Sequence, residues 1–250
     1  MNIRLLVFDI DGVLTEGEAR RLDLPLFEML ARLNRRARQD PSLPAATLCT
    51  GRPAPYVEVL LQAMDGHVPA VFENGAGLYV PQSYRFLPHP SLNADDPASE
   101  GPIVAVRRRL AETVVRRGAA YFQPGKEYTL SLFATDPSRT ATLHEEADAA
   151  LGELRPTVDY LYSPSCLNIL PRGMHKGKGI EFLASYTGYQ LKEMLGVGDS
   201  DVDVPFLEAV GHSAAPDNGN EAVKQVAHYV SSQRASDGVR DILTHFGISG

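Results

Sequence analysis

Cysteine is scarce: Cys49 and Cys166 are the only two in 250 residues. Two cannot make a disulfide framework, and both sit in apolar, strand-like runs, which predicts buried free thiols of a reducing, cytoplasmic compartment. No run of 18 apolar residues occurs, so no membrane-spanning helix is expected. The apolar stretch ahead of Asp9 is too short for a signal peptide and lacks a small-residue cleavage site. Basic residues are outnumbered, 24 Lys and Arg against 31 Asp and Glu, for a net charge of −7. That balance disfavours sequence-independent binding of nucleic acid. The arginine groups at 35, 36 and 38, at 107–109 and at 116–117 read as solvated helix faces. Internal repeats and low-complexity tracts are lacking too. What remains is a globular composition, 44% apolar and 22% charged, long for one simple domain and short for two.

Ile3 to Phe8 reads as a strand buried on both faces, and Asp23 with Pro25 as the start of a helix carrying Leu26, Phe27, Leu30, Leu33 and Ala37 at helical spacing. Strands are expected at Ala45–Cys49 and Ala70–Phe72, with a helix from Pro53 to about Met64 between them. This alternation predicts a parallel α/β sheet. From Pro81 to Gly101 the chain is rich in Pro, Ser, Asn and Asp. Helix-like stretches (103–117, 138–154) then mix with strand-like ones (121–134 about a Pro124-Gly125 turn, 158–162, 166–170), which suggests an α+β insert. The α/β rhythm returns with helices at 176–186, 204–210, 221–227 and 238–246 and a strand at 194–197.

Four polar groups follow predicted strands: Asp9 and Asp11, Thr50-Gly51-Arg52, Asn74, and Asp199 with Asp203. In open α/β sheets ligands bind beyond the carboxyl ends of the strands, so these groups should converge. Two carboxylates in different surroundings can divide acid and base roles. Thr50, the bare backbone at Gly51 and the following helix start suit a phosphate, although the same residues can simply cap a helix. Lys176 at a helix start opposes the helix dipole, which hints at an anionic ligand. Three acids within Asp199–Asp203 repel unless a cation sits among them, and hard cations take oxygen ligands.

Asp9-Ile10-Asp11-Gly12-Val13-Leu14-Thr15, Thr50-Gly51-Arg52, Lys176 and Gly198-Asp199-Ser200-Asp201-Val202-Asp203, in this order, resemble the haloacid dehalogenase superfamily of phosphatases. Glu73-Asn74-Gly75-Ala76, the segment 215–230 and Asp237-Gly238-Val239 resemble its Cof-like, phosphoglycolate phosphatase-like and sucrose-phosphatase-like members. Thirty-nine positions separate Asp11 from Thr50 and 124 separate Arg52 from Lys176. About 90 of the latter exceed an ordinary connection. That resembles the subclass with a cap inserted between the second and third motifs. The fold expected is a Rossmann-like parallel-sheet α/β core, 1–81 plus 173–250, with an α+β cap, 82–172.

The resemblance implies Mg²⁺-dependent hydrolysis of a small organic phosphate monoester, phosphoglycolate or a sugar phosphate. Asp9 is then the nucleophile that becomes an aspartyl-phosphate, and Asp11 the general acid and base. Mg²⁺ falls to Asp9, the backbone carbonyl of Asp11, Asp199 and Asp203. Thr50, Gly51, Arg52 and Lys176 hold the phosphate. Asn74 and Asn218 of the core, with Lys126, Glu127 and Asn168 of the cap, are candidate substrate residues. Many relatives carry Asn where this chain has Val202, and Asp201 one residue earlier is placed to compensate. The implied partner is a small phosphorylated metabolite, not nucleic acid or membrane, for a monomer or homodimer. A phosphomutase of the phosphomannomutase type and a non-catalytic sugar-phosphate binder are the alternatives. Retention of both leading acids, Thr50, Lys176, Asp199 and Asp203 argues against the binder.

Overall fold

The computed structural model describes residues 2–92 and 102–248. The chain divides into two units, Met1–Leu87 with His175–Gly250, and Pro88–Met174. The first opens with β1 (Leu5–Phe8), α1 (Leu24–Gln39), β2 (Ala45–Leu48), α2 (Ala54–Ala63), β3 (Ala70–Phe72), β4 (Gly77–Val80) and β5 (Arg85–Pro88). The second contains α3 (Pro102–Leu110), β6 (Ala120–Phe122), β7 (Leu130–Ala134), α4 (Leu143–Leu151), β8 (Val158–Tyr162) and β9 (Leu167–Pro171). The chain then returns through α5 (Lys176–Thr187), β10 (Met194–Val197), α6 (Val204–Ala209), β11 (His212–Ala215), α7 (Glu221–Val226), β12 (Tyr229–Val230) and α8 (Ala235–His245).

The first unit is built on a five-stranded parallel sheet in the order β12-β11-β10-β1-β2. β1 is buried along its whole length and pairs with β10 and β2 (Leu5 beside Met194 and Ala45), as its continuous apolar sequence requires. From β1 the chain moves outward to β2. From β10 it moves the other way, to β11 and β12. The reversal between β1 and β10 opens a crevice at their carboxyl ends.

Local chemistry explains the flanking helices. Asp23 Oδ1 accepts the Leu26 N–H at 3.0 Å and starts α1, while Arg36 and Arg38 in its last turn suit the dipole. Its inner face buries Leu26, Phe27, Leu30, Ala31, Leu33 and Ala37. Buried Asn34 sits among them and is satisfied: its Nδ2 donates to the Met64 carbonyl and its Oδ1 accepts the Ala46 N–H, both at 2.8 Å. One side chain thereby ties α1, β2 and the end of α2 together.

β3 keeps the expected parallel direction beside β2 only in a single Cys49–Val71 bridge, and its ladder partner is the antiparallel β4. The residue before β3 is Pro69, which has no N–H for a ladder, and Thr47 Oγ1 donates to its carbonyl at 2.8 Å instead. β11 and β12 were not anticipated. His212-Ser213-Ala214-Ala215 and a two-residue strand carry little apolar alternation.

The second unit is an antiparallel sheet in the order β6-β7-β9-β8. Ile103, Val106 and Leu110 of α3 and Leu143, Ala147 and Leu151 of α4 share a core with Leu130, Leu132, Leu167 and Ile169 of the sheet. The helix expected to Arg117 stops at Leu110 and widens into a π-type turn over Ala111–Val115. Pro124-Gly125 is not a tight hairpin turn, because residues 123–129 separate β6 from β7. Part of the long loop expected before Gly101 lies outside the described residues.

Candidate active site

Asp9 follows β1 directly, and its N–H is fixed by the Val197 carbonyl at 2.9 Å. The chain then turns sharply. Gly12 has φ +83°, and a Cβ there would stand 2.0 Å from Asp199 Oδ2, so both conformation and space require glycine. Asn218 holds this turn from the far side: its Nδ2 donates to the Gly12 carbonyl at 2.8 Å and its Oδ1 accepts the Ala235 N–H at 2.7 Å. The structure thus gives Asn218 a supporting role between the first motif and α8.

Lys176, the first residue of α5, has a side chain only 1% exposed. Its Nζ lies 2.9 Å from Asp9 Oδ1 and 2.5 Å from Asp203 Oδ1, and Asp203 is fully buried. The unfavourable position at a helix start is explained by these two carboxylates. Burial works against the ammonium charge, but Asp203 and Asp9 outweigh it and raise the lysine above its ordinary value. The other oxygen of Asp203 accepts the Asp199 N–H at 2.9 Å, the Ser200 N–H at 3.0 Å and the Ser200 hydroxyl at 3.2 Å. Asp203 therefore shapes the loop that presents Asp199.

Asp9, Asp199 and Asp203 bring one carboxylate oxygen each to within 4.8 Å of one another. Burial pushes Asp9 up to about 7, with Asp203 and Asp11 adding to the rise and Lys176 opposing it. Burial, then Asp9 and Asp203, push Asp199 up to about 8. One ammonium does not balance these acids, and a hard divalent cation suits an all-oxygen set of this charge. The residues present therefore fit such an ion. Asp11 is not part of that cluster, and both of its carboxylate oxygens are engaged by Arg52. Asp201 does not join the cluster either. It is exposed, and its Oδ1 accepts from Asn220 Nδ2 at 2.6 Å.

The second strand-end group lies beside these acids in the sheet. Thr50 is buried, with its N–H on the Val71 carbonyl, its carbonyl accepting the Asn74 N–H at 3.0 Å, and its Oγ1 accepting the Arg52 N–H at 3.2 Å. Asn74 takes a left-handed conformation, φ 57°, as does Glu73 before it. Its side chain stands against Gly51, where a Cβ would meet Asn74 Oδ1 at 2.9 Å. Two successive non-glycine residues in this region store backbone strain beside the site. Arg52, a candidate phosphate residue, grips Asp11: Nε donates to Oδ2 and Nη2 to Oδ1, both at 2.7 Å.

Lys126, Glu127 and Asn168 all belong to the second unit. Lys126 is not an exposed hairpin tip: it is 4% exposed, and Nζ donates to Ser131 Oγ at 2.6 Å and approaches Asn168 Oδ1 at 3.5 Å. Ser131 Oγ itself donates to Asn168 Oδ1 at 2.5 Å. Glu127 is exposed. Two supporting residues escaped sequence reasoning. Asn220 donates its N–H to the Asp199 carbonyl at 2.9 Å, holds Asp201, and caps α7 through Oδ1 on the Val223 N–H. An Asn directly before the acid-led helix at Glu221 was the available signal. Tyr56, one turn into α2, lies under the Arg52 guanidinium at 5.0 Å from its ring centre.

Fold and site thus define a parallel-sheet α/β unit with an acid-and-lysine centre at its topological switch. The family model for haloacid dehalogenase-like hydrolases matches residues 121–243. A phosphoglycolate phosphatase of Halorubrum lacusprofundi is 29% identical over 245 residues, 95% of each chain. A Thermoplasma acidophilum crystal structure superposes with a TM-score of 0.76 at 21% identity, covering 99% of this chain and 100% of that one. A sugar phosphatase of haloacid dehalogenase subclass IIB gives 0.69 at 20% identity, covering 98% and 99%. Over residues 121–243 the chain is similar to haloacid dehalogenase-like hydrolases, and the relatives and structural neighbours it resembles include phosphatases. No helix among the described residues is long and apolar enough to cross a membrane.

Proposed function

We propose that the protein hydrolyses a small organic phosphate monoester, phosphoglycolate or a sugar phosphate, with Mg²⁺ and through an aspartyl-phosphate on Asp9. The observation that carries this reading is the Asp9–Lys176–Asp203 network at the crevice between β1 and β10, with Asp199 in the same cluster. Likeness to the Halorubrum phosphoglycolate phosphatase supports phosphoglycolate, and likeness to the subclass IIB sugar phosphatase supports a sugar phosphate.

An Asp9 carboxylate oxygen attacks phosphorus, and the ester P–O bond breaks. The departing alkoxide takes its proton from Asp11, which must enter the step protonated. Asp11 then removes a proton from water. That water attacks the same phosphorus, frees the Asp9 carboxylate and leaves inorganic phosphate. Mg²⁺ held by Asp9, the Asp11 carbonyl and Asp199 supplies the positive charge that offsets repulsion between carboxylate and phosphate. Lys176 favours the carboxylate form of Asp9 against burial and aims it. Thr50 and the Gly51 amide hold phosphate oxygens, and most of the catalysis is such positioning and charge stabilisation. The second unit serves as the cap, with Lys126, Glu127 and Asn168 as its candidate substrate residues.

Phosphate release from phosphoglycolate, hexose phosphates and an aryl phosphate tests the reading. Turnover should need added Mg²⁺, stop with excess chelator and vanish in Asp9→Asn. Turnover that survives Asp9→Asn refutes the aspartyl-phosphate. Slow phosphate release stimulated by a sugar bisphosphate points to the mutase.

A further inference from the structure

We infer that Arg52 is a specificity residue that binds a carboxylate on the leaving alcohol, so that the preferred substrates are phosphate esters of 2-hydroxy acids. This rests on the phosphatase reading above and narrows it.

A guanidinium is a planar group with five N–H donors and two edges that can each take a carboxylate. One edge of Arg52, Nε and Nη2, is closed on the two oxygens of Asp11 at 2.7 Å each. Nη1 has no hydrogen-bond partner among the described residues, so the second edge is open. The group is held rather than swinging: its backbone N–H is on Thr50 Oγ1, its carbonyl accepts the Glu73 N–H at 3.1 Å, and one face lies over Tyr56. The side chains of Arg52 and Asp11 are 19% and 25% exposed, so the pair is partly shielded yet open to a ligand. Tyr56 and Glu18 are the other titratable groups whose fields reach Arg52.

Position supplies the chemistry. Asp11 protonates the ester oxygen, so that oxygen must come within roughly 2.6–3.2 Å of its carboxylate. A carboxyl carbon on the adjacent carbon lies about 2.5 Å from the ester oxygen by ordinary bond lengths. Turned toward the guanidinium that already touches Asp11, such a carboxylate comes within reach of its open edge. An uncharged sugar carbon there leaves the Nη1 hydrogens without an anion. On the reading above Thr50, Gly51 and Lys176 hold the phosphate, which leaves the open edge of the guanidinium for the other end of the substrate. Charge-assisted bonds of this kind are the strong ones and discriminate accordingly.

The test compares phosphoglycolate with ethyl phosphate, which has the same backbone and no carboxylate. Their kcat/KM values are measured with Mg²⁺ for wild type, Arg52→Gln and Arg52→Lys. Both variants lose activity on both esters, because Arg52 also orients Asp11; the informative quantity is the ratio between esters. Wild type should favour phosphoglycolate, and Arg52→Gln should shrink that preference on the order of 10- to 100-fold, with the larger change in KM. Arg52→Lys keeps the charge without the fork and should fall between. If Arg52→Gln depresses both esters equally, Arg52 serves Asp11 alone and the inference is overturned. Calorimetric binding of both esters to Asp9→Asn, with and without Arg52→Gln, reads the same contact without turnover. If wild type hydrolyses no ester, the phosphatase reading fails, and this binding comparison decides the carboxylate contact by itself.

Discussion

Replacing Lys176 with methionine removes the one ammonium among Asp9, Asp199 and Asp203 while keeping much of the side-chain volume. Nζ lies within 2.9 Å of Asp9 and 2.5 Å of Asp203, both nearly or wholly buried. Deleting one partner of a buried ion pair destabilises by ~3–5 kcal/mol. In a chain of this size each kcal/mol shifts Tm by roughly 2–4 °C, so the metal-free protein should lose roughly 6–20 °C. The acids can respond by taking up protons, which makes the loss depend on pH. Asp9 is already pushed up to about 7, and Lys176 is what holds it from rising further. A carboxyl raised in the native state stabilises fully below its unfolded value near 4, and that stability is lost as pH climbs through the native value. Each additional proton held by the native variant makes its deficit grow by about 1.4 kcal/mol per pH unit. Thermal and urea unfolding of wild type and Lys176→Met, in chelator at pH 6, 7 and 8, should show the gap widening with pH. Phosphatase turnover with Mg²⁺ should fall roughly 10²–10³-fold. A deficit under about 1 kcal/mol at pH 8, or one that does not change with pH, refutes the assignment of Lys176 as counter-ion to these acids.

The same linkage applies to the intact protein. Asp9 and Asp199, raised to about 7 and about 8, should make the metal-free protein less stable at pH 8.5 than at pH 6. The Tm increase on adding Mg²⁺ should accordingly be larger at pH 8.5, which differential scanning with and without chelator measures. Gly12→Ala forces a Cβ onto Asp199 at a positive φ and should abolish detectable turnover, with a lowered Tm on a thermal melt. Asn34→Ala leaves the Ala46 N–H and the Met64 carbonyl buried without partners and should cost about 2–4 kcal/mol by urea unfolding, with kcat/KM nearly unchanged. Asn220→Ala removes the side-chain hold on Asp201 and the cap of α7 while keeping its backbone bond to Asp199, and should weaken Mg²⁺ affinity by up to roughly tenfold in a calorimetric titration.

The strands that bear the site were legible because burial on both faces leaves an unmistakable apolar run, as in Leu5–Phe8 and Met194–Val197. The helices announced themselves through caps and spacing, Asp23 with Pro25 for α1 and Gly188 after α5. β11 and β12 were not legible, since their residues are small or polar and their pairing is supplied by neighbours already in place. Lys176 was legible as a misfit, a cation where a helix start disfavours one, but its two partners were not. Arg52 shows the converse. Its motif suggested a phosphate ligand, and the fold gave its guanidinium to Asp11, 41 residues away.

Local sequence thus determined what depends on neighbours in the chain: the buried strands, the helix starts, and which acidic, hydroxyl and lysine groups stand at strand ends. Those properties follow from periodicity, backbone sterics and side-chain chemistry over a few residues. Only the tertiary structure decided which of the separated groups share a charge. Lys176 meets Asp9 and Asp203, Arg52 meets Asp11, and Asn220 holds Asp199 because parallel pairing of β1, β2 and β10 stacks their carboxyl ends along one edge. Coulomb interaction depends on distance through space and on the local dielectric, and both are created by the packing.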